Sequence, residues 1–265
     1  MQTNVMDTLM NRASIRRFED REVEDNIIEQ IVRAGQQAPF TGQMYSVIAT
    51  KDPQKKAEVA KYLGKLPLVG SVFMLVCVDF ARLEKFIEVK SRENSFDDYW
   101  MSILGIQDAS YFAQNMVIAA EGLGLGSVFL GSAPWITPQL KELFQIPPRV
   151  MPLVGFVLGY PAENPKPRPR IPTKHVLHWD RYQSMSQQEA EEALQVMDAG
   201  LIREGYYLQL QGKIRLKSQT SDPVSYDQYG WGEHISRKFG QGGLNMKEQG
   251  KDMKAILNEH GMRLH

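Results

Sequence analysis

Apolar and polar residues alternate along this chain in blocks that read as separate elements. Residues 3–12 offer Val5, Leu9 and Met10 to one side of a short helix. In VEDNIIEQIVRAGQQAP, residues 23–39, Ile27, Ile28, Ile31 and Val32 follow the helical period, and Pro39 ends the run. YSVIAT (45–50) reads as a strand, and PQKKAEVAKYLG (53–64) as a helix with Gly64 beyond its end. VFMLVCVD (72–79) is almost continuously apolar, as expected of a strand covered on both faces. The longest helix is predicted from about Ser102 to Glu121, with Leu104, Ala109, Phe112, Ala113, Met116, Val117 and Ala120 on a wide apolar face.

SVFLG (127–131) and MPLVGFVLGYP (151–161) are predicted strands. Between them TPQLKELFQI (137–146) is predicted to start with Thr137 as cap and Pro138 in the first turn. Strands and helices alternate to residue 161, so the core is an α/β or α+β layer with a covered sheet. ENPKPRPRIP (163–172) is too rich in proline for a helix or a central strand. A helix resumes over 187–211, a long polar loop is predicted over 212–234, and a terminal helix over 245–262.

Composition narrows the function classes. The 265 residues carry 31 Lys+Arg and 31 Asp+Glu, a formal net charge of zero. Bulk electrostatic binding to nucleic acid or an anionic membrane is therefore not expected. The lone cysteine, Cys77, lies in a predicted buried strand, where a small core residue is expected, and no intrachain disulfide can form. The N-terminus has no apolar core of signal-peptide type and no run is suited to span a bilayer, so a cytoplasmic protein is expected.

Two motifs that invite chemistry are set aside. EGLGLGSVFLG runs helix, glycines, strand, the reverse of a dinucleotide fingerprint, so Gly122, Gly124 and Gly126 are expected to end a helix and start a strand. HVLH (175–178) has no third ligand spaced nearby, so no metal is expected.

Two basic clusters remain. NRASIRRF (11–18) gathers Arg12, Arg16 and Arg17 around Ser14, and KPRPR holds Lys166, Arg168 and Arg170. Prolines keep the second stretch extended, so Arg168 and Arg170 can project together. Each cluster alone could be a solvated face; in a chain without net charge, the two together suggest one dianionic group gripped from two sides.

RASIRRF resembles the Arg-x-Ser-x-Arg/Lys signature of the nitroreductase-like FMN-dependent oxidoreductases. RAGQQAPFTGQMYSVIAT is similar to their next helix, ligand loop and strand, and QNMVIAAEGLGLGSVFLG to their central helix and following strand. LFQIPPRVMPLVGFVLGYPAENPKPRPRIP and YDQYGWGEHISRKF resemble the major NADPH nitroreductase and flavin reductase subgroup, so the likeness spans nearly the whole chain.

The resemblance implies an α+β fold with a central mixed, mainly antiparallel sheet flanked by helices, in an intertwined homodimer. It implies a single domain over 1–265 in which residues 187–245 form a helix and a mobile loop excursion covering the active site. It implies that Arg12, Ala13, Ser14 and Arg16 contact the FMN phosphate and ribityl chain, completed by Arg168 and Arg170. Thr41, Gln43, Gly64 and Lys65 would approach the ribityl chain or ring, and Leu130, Gly131 and Ser132 the flavin N5 edge. The implied cycle is ping-pong, with NADPH or NADH as electron donor and a nitroaromatic, quinone, flavin or metal oxyanion as small-molecule acceptor. Flavin reduction proper, dehalogenation or non-catalytic FMN sensing are the other roles the family's FMN site could serve. No nucleic acid and no membrane are expected as partners.

The chain departs from the subgroup at Ala13, where a cation is common, and carries Arg12 one position earlier. LGKLP lacks an amide side chain. After YYL stand Gln209 and Leu210 where relatives have an Arg for the NADPH 2′-phosphate, leaving Lys213, Arg215 or Lys217 as substitutes.

Overall fold

The computed structural model describes residues 4–63, 70–216 and 222–264. The chain divides into two compact units, Met1–Lys166 with Lys251–His265, and Pro167–Gly250.

The first unit is built on four antiparallel strands: β1 (Tyr45–Thr50), β2 (Ser71–Asp79), β3 (Gly126–Leu130) and β4 (Val150–Gly159), in the order β1-β2-β4-β3. Of the α/β and α+β alternatives, the antiparallel sheet makes the α+β fold the one present. The strand and helix alternation that suggested it arises because helices link antiparallel neighbours here. β2 is central, and all nine of its residues are buried. Its side chains alternate between two apolar layers, as the two-residue strand period requires. Val72, Met74, Val76 and Val78 join the layer under the long helix α5 (Asp98–Gly122), and Phe73, Leu75 and Cys77 join the other. Cys77 is fully buried, and desolvation pushes its thiol up to about 12, so it is an inert core residue.

Helices α1 (Val5–Asn11), α2 (Asp25–Gly35), α3 (Pro53–Leu63), α4 (Phe80–Val89) and α6 (Thr137–Phe144) surround the sheet. α4 is absent from the sequence reading. It starts directly at the end of β2, where the Asp79 carboxylate accepts the Arg82 N–H at 2.9 Å. α5 begins four residues before the predicted Ser102, because Asp97 caps it by accepting the Trp100 N–H at 2.8 Å. Thr137 does not cap α6; its hydroxyl donates to the Pro134 carbonyl at 2.8 Å. A 3₁₀ turn over Ala133–Ile136 runs straight into that helix and supplies its first turn.

The second unit contains α7 (Gln187–Arg203), α8 (Tyr206–Leu210) and α9 (Trp231–Phe239). The continuous helix expected over 187–211 is broken at Gly205, which takes φ +60°. The described part of the predicted 212–234 loop is irregular up to Gly230, with Arg215, Pro223, Ser225, Asp227 and Gln228 exposed, but it is not solvated throughout. Tyr229 is 1% exposed and packs with Tyr207, Met197 and Leu201 in a small core, and α9 starts at Trp231. The segment reads as polar because what it contributes to that core is chiefly tyrosine, Tyr226 and Tyr229. The terminal helix α10 (Met246–Glu259) forms as predicted. No helix among the described residues is long and apolar enough to cross a membrane.

Candidate functional site

Arg12 leaves the C-terminal end of α1 in extended conformation and starts a segment that docks on β3. Ser14 bridges Ser127 in parallel, and the Ile15 N–H donates to the Ser127 carbonyl at 2.8 Å. That close approach requires Gly126, where a Cβ would lie 2.5 Å from the Ile15 side chain. Glu163 fixes the next two residues. Its Oε1 accepts the Arg16 N–H at 2.5 Å and the Arg17 N–H at 3.1 Å, and its Oε2 accepts Arg17 Nε at 3.0 Å. Burial pushes the Glu163 carboxyl up, but those bonds outweigh it and hold the pKa below the ordinary value. Arg17 is thereby tied to Glu163 as an ion pair at 3.0 Å. Arg16 Nη1 donates to the Ser14 carbonyl at 3.4 Å. Arg12 Nη1 is buried, donates no hydrogen bond among the described residues, and lies 3.6 Å from Glu121 Oε1. Ala13 lines a groove with Asn11, Glu121 and Glu163.

Thr41 and Gln43 sit on a loop that α5 holds from beneath. Asp108, 1% exposed, accepts N–H donors from Thr41 at 2.7 Å, Gly42 at 2.9 Å and Met44 at 3.1 Å. Gln43 takes φ +49°, and its carbonyl accepts Arg82 Nη2 at 2.6 Å. Both Thr41 and Gln43 remain exposed. Leu130, Gly131 and Ser132 follow at the far end of β3, roughly 13 Å along the strand from Ser127. Gly131 and Ser132 are exposed, and a Cβ on Gly131 would meet nothing within 4 Å. One strand thus carries the Arg12–Arg16 segment at its start and the Leu130–Ser132 backbone past its end. Gly64, Lys65 and Lys217 lie outside the described residues.

In the second unit Arg168 and Arg170 line one cleft of about 480 Å³, together with Tyr206, Trp231, His234 and Lys238. The Arg168 guanidinium stacks 3.9 Å from the Tyr206 ring centroid, and Arg170 Nη1 donates to the Arg168 and Pro169 carbonyls at 3.0 Å. Lys213 is engaged inside this unit: it donates to the Val224 carbonyl, pairs with Asp222 at 3.6 Å and lies 4.7 Å from the Tyr226 ring centroid. Arg215 is exposed.

Asp108, Glu121 and Glu163, the carboxylates that contact the candidate site residues, were missed by the sequence reading. Asp108 had a signal: it is a carboxylate one residue from Ala109 on the buried face of α5, between Gly105 and Phe112. A charge there is expensive unless it is hydrogen-bonded. Glu163 stands in a proline-rich tract and gave no signal.

The nitroreductase family model matches residues 9–160, more than half of the chain. The chain belongs to the nitroreductase family. It is 32% identical over 199 residues to an NADPH-dependent oxidoreductase of Staphylococcus epidermidis, covering 72% of this chain and 79% of that protein. It is 34% identical over 185 residues to an FMN reductase (NADPH) of Bacillus subtilis, covering 68% and 74%. Among solved structures it resembles the NfrA1 nitroreductase of Bacillus subtilis, with TM-score 0.78, 26% identity and 96% and 98% of the two chains covered. A buried guanidinium nitrogen without a hydrogen-bond acceptor at Arg12, beside Ser14 and Arg16, is a donor set suited to a phosphate.

Proposed function

We propose that this nitroreductase-family chain is an FMN-dependent NAD(P)H oxidoreductase that reduces small acceptors by two electrons. The observation that carries the reading is the Arg12–Ser14–Arg16 segment, pinned to β3 and Glu163, which gathers two guanidiniums around a serine hydroxyl. FMN, when held, supplies hydride acceptance from a nicotinamide nucleotide and electron delivery to a nitroaromatic, quinone or flavin, with donor and acceptor using the site in turn.

The chain's own residues bind and orient. Arg12 and Arg16 neutralise the phosphate, and the Ser14 hydroxyl adds a donor. The family resemblance gives Arg168 and Arg170 a phosphate-binding role as well. The loop braced by Asp108 presents Thr41 and Gln43, and the Leu130–Ser132 backbone offers N–H donors to the ring edge. Arg215, exposed where Lys213 is engaged, is the stronger of the two described candidates for a nucleotide 2′-phosphate. A cytoplasmic homodimer is part of this reading. It is supported by the large apolar side chains that the first half of α5 leaves exposed, among them Tyr99, Trp100, Ile103 and Ile106.

The experiment is the visible spectrum of the purified protein before and after anaerobic NADPH, with its mass in solution by light scattering. A flavin spectrum bleached by NADPH, on a species of twice the chain mass, is expected. A yellow protein that NADPH does not bleach would favour a sensor, and one that takes up no FMN would end the flavin reading. Arg16→Ala is expected to lose a charge-assisted contact worth about 1.5–3 kcal/mol of FMN affinity. Arg215→Ala is expected to raise the KM for NADPH and leave that for NADH unchanged.

A further inference from the structure

Glu121 occupies a position that is unfavourable for a carboxylate on two counts. It stands in the last turn of the 25-residue helix α5, where the helix dipole presents its negative end and no basic residue of the same helix compensates. It is also largely buried, its side chain only 13% exposed. Two groups from elsewhere in the chain face it. The Ser127 hydroxyl donates to Oε1 at 3.1 Å, and Arg12 Nη1 lies 3.6 Å from the same oxygen. Burial pushes the Glu121 carboxyl above its ordinary value, while the Ser127 hydroxyl and the Arg12 charge pull it down.

This arrangement has a direction. Ser127 is the residue on which the Arg12–Arg16 segment docks, through the Ser14 bridge and the Ile15 N–H. Glu121 is therefore anchored to the start of β3 and reaches back to the guanidinium of the same segment. An arginine at a helix C-cap has a long side chain with many rotamers, and ordering it on ligand arrival costs entropy. An ion pair already in place removes part of that cost. At 3.6 Å the Arg12–Glu121 contact is an ion pair longer than an ordinary hydrogen bond, so the carboxylate can orient the guanidinium without using up its five donors.

We propose that Glu121 is a positioning residue that holds the Arg12 guanidinium ready for the flavin phosphate. The proposal rests on the assignment of that phosphate to Arg12. It separates Glu121 from the binding groups themselves: the carboxylate acts through Arg12 and does not touch the flavin.

The test compares FMN with riboflavin, which shares the ring and ribityl chain and lacks the phosphate. Dissociation constants for both are measured by flavin fluorescence on the full-length protein stripped of flavin. The variants are Arg12→Ala, Glu121→Ala, Glu121→Gln and the Arg12→Ala/Glu121→Ala pair. Glu121→Ala is expected to weaken FMN roughly tenfold and leave riboflavin unchanged. Glu121→Gln, which keeps an acceptor oxygen for Ser127 and Arg12, is expected to fall between it and the parent and guards against a folding defect. In the Arg12→Ala background the Glu121→Ala change is expected to have no further effect on FMN. A parental FMN-to-riboflavin ratio in Glu121→Ala, or an undiminished effect in the Arg12→Ala background, would overturn the positioning role alone. A parental ratio in Arg12→Ala itself would remove the phosphate from Arg12, and the role of Glu121 with it.

Discussion

Asp108 is the residue on which the Thr41–Met44 loop depends. Three backbone N–H groups, from Thr41, Gly42 and Met44, end on its two oxygens, and the side chain is buried under them. Removing the carboxylate leaves donors without an acceptor where water has little access, a cost of about 3 kcal/mol. Asp108→Ala is therefore expected to lower stability by that order and to loosen residues 40–44, read as lost amide protection in hydrogen exchange. Asp108→Asn keeps one acceptor oxygen and should lose less. Protection at 40–44 equal in Asp108→Ala and the parent would show that the loop holds its own shape. Asp108 and Glu121 stand on the same helix, roughly 20 Å apart along its axis at 1.5 Å per residue. One rigid rod thus braces the Thr41–Gln43 loop at one level and the Arg12 segment at another.

Elements with a strong local signal were legible in the sequence. β1 and α3 carry it from end to end: an apolar run bounded by Lys51 and Asp52, and Pro53 opening a helix in its first turn. Elements whose order comes from distant partners were not. The region after Leu210 reads as polar, yet Arg237 of α9, 2% exposed, pairs with Asp222 at 2.6 Å and Glu233 at 2.6 Å and donates to the Ile214 carbonyl at 2.8 Å. The Arg237 hydrogen bonds outweigh burial and hold the Asp222 carboxyl well below the usual carboxylate range. Arg237→Met is expected to release the segments around Ile214 and Asp222. Faster limited proteolysis at 212–230, with the Met1–Lys166 unit left intact, is the readout; an unchanged cleavage pattern would count against this clasp.

At the scale of the whole molecule the chain leaves the sheet-bearing unit after Lys166 and returns to it at Lys251. The return is secured by Arg149, which donates to Asp98 at 2.5 and 3.0 Å and to the Gly261 carbonyl at 2.9 Å, while Asp98 also accepts the Arg263 N–H at 2.5 Å. Met262 is buried beside them in the layer under α5. Burial pushes the Asp98 carboxyl up, but the bonds from Arg149 and Arg263 outweigh it and leave the pKa lowered. A group depressed in the folded state stabilises fully above its unfolded pKa, about 3.9 for Asp, and less as pH falls through the folded value. Asp98→Asn is therefore expected to cut stability most near neutral pH and to flatten the acid limb of a Tm-against-pH curve. A Tm difference that stays constant from neutral pH to pH 3 would show that this pair does not couple the C-terminal return to protonation.

The sequence by itself determined the identity of the β-strands, most helices, the inert Cys77 and the residue types of the candidate Arg12–Arg16 segment. Periodicity, proline and short motifs act within a few residues, and a single chain displays them. Only the tertiary structure decided which carboxylate meets which cation. Glu163 meets Arg17, Glu121 meets Arg12, and Asp108 meets the loop after Phe40, each across a long stretch of chain. Such pairs depend on where strands and helices cross, and burial sets their strength, so neither spacing nor composition encodes them.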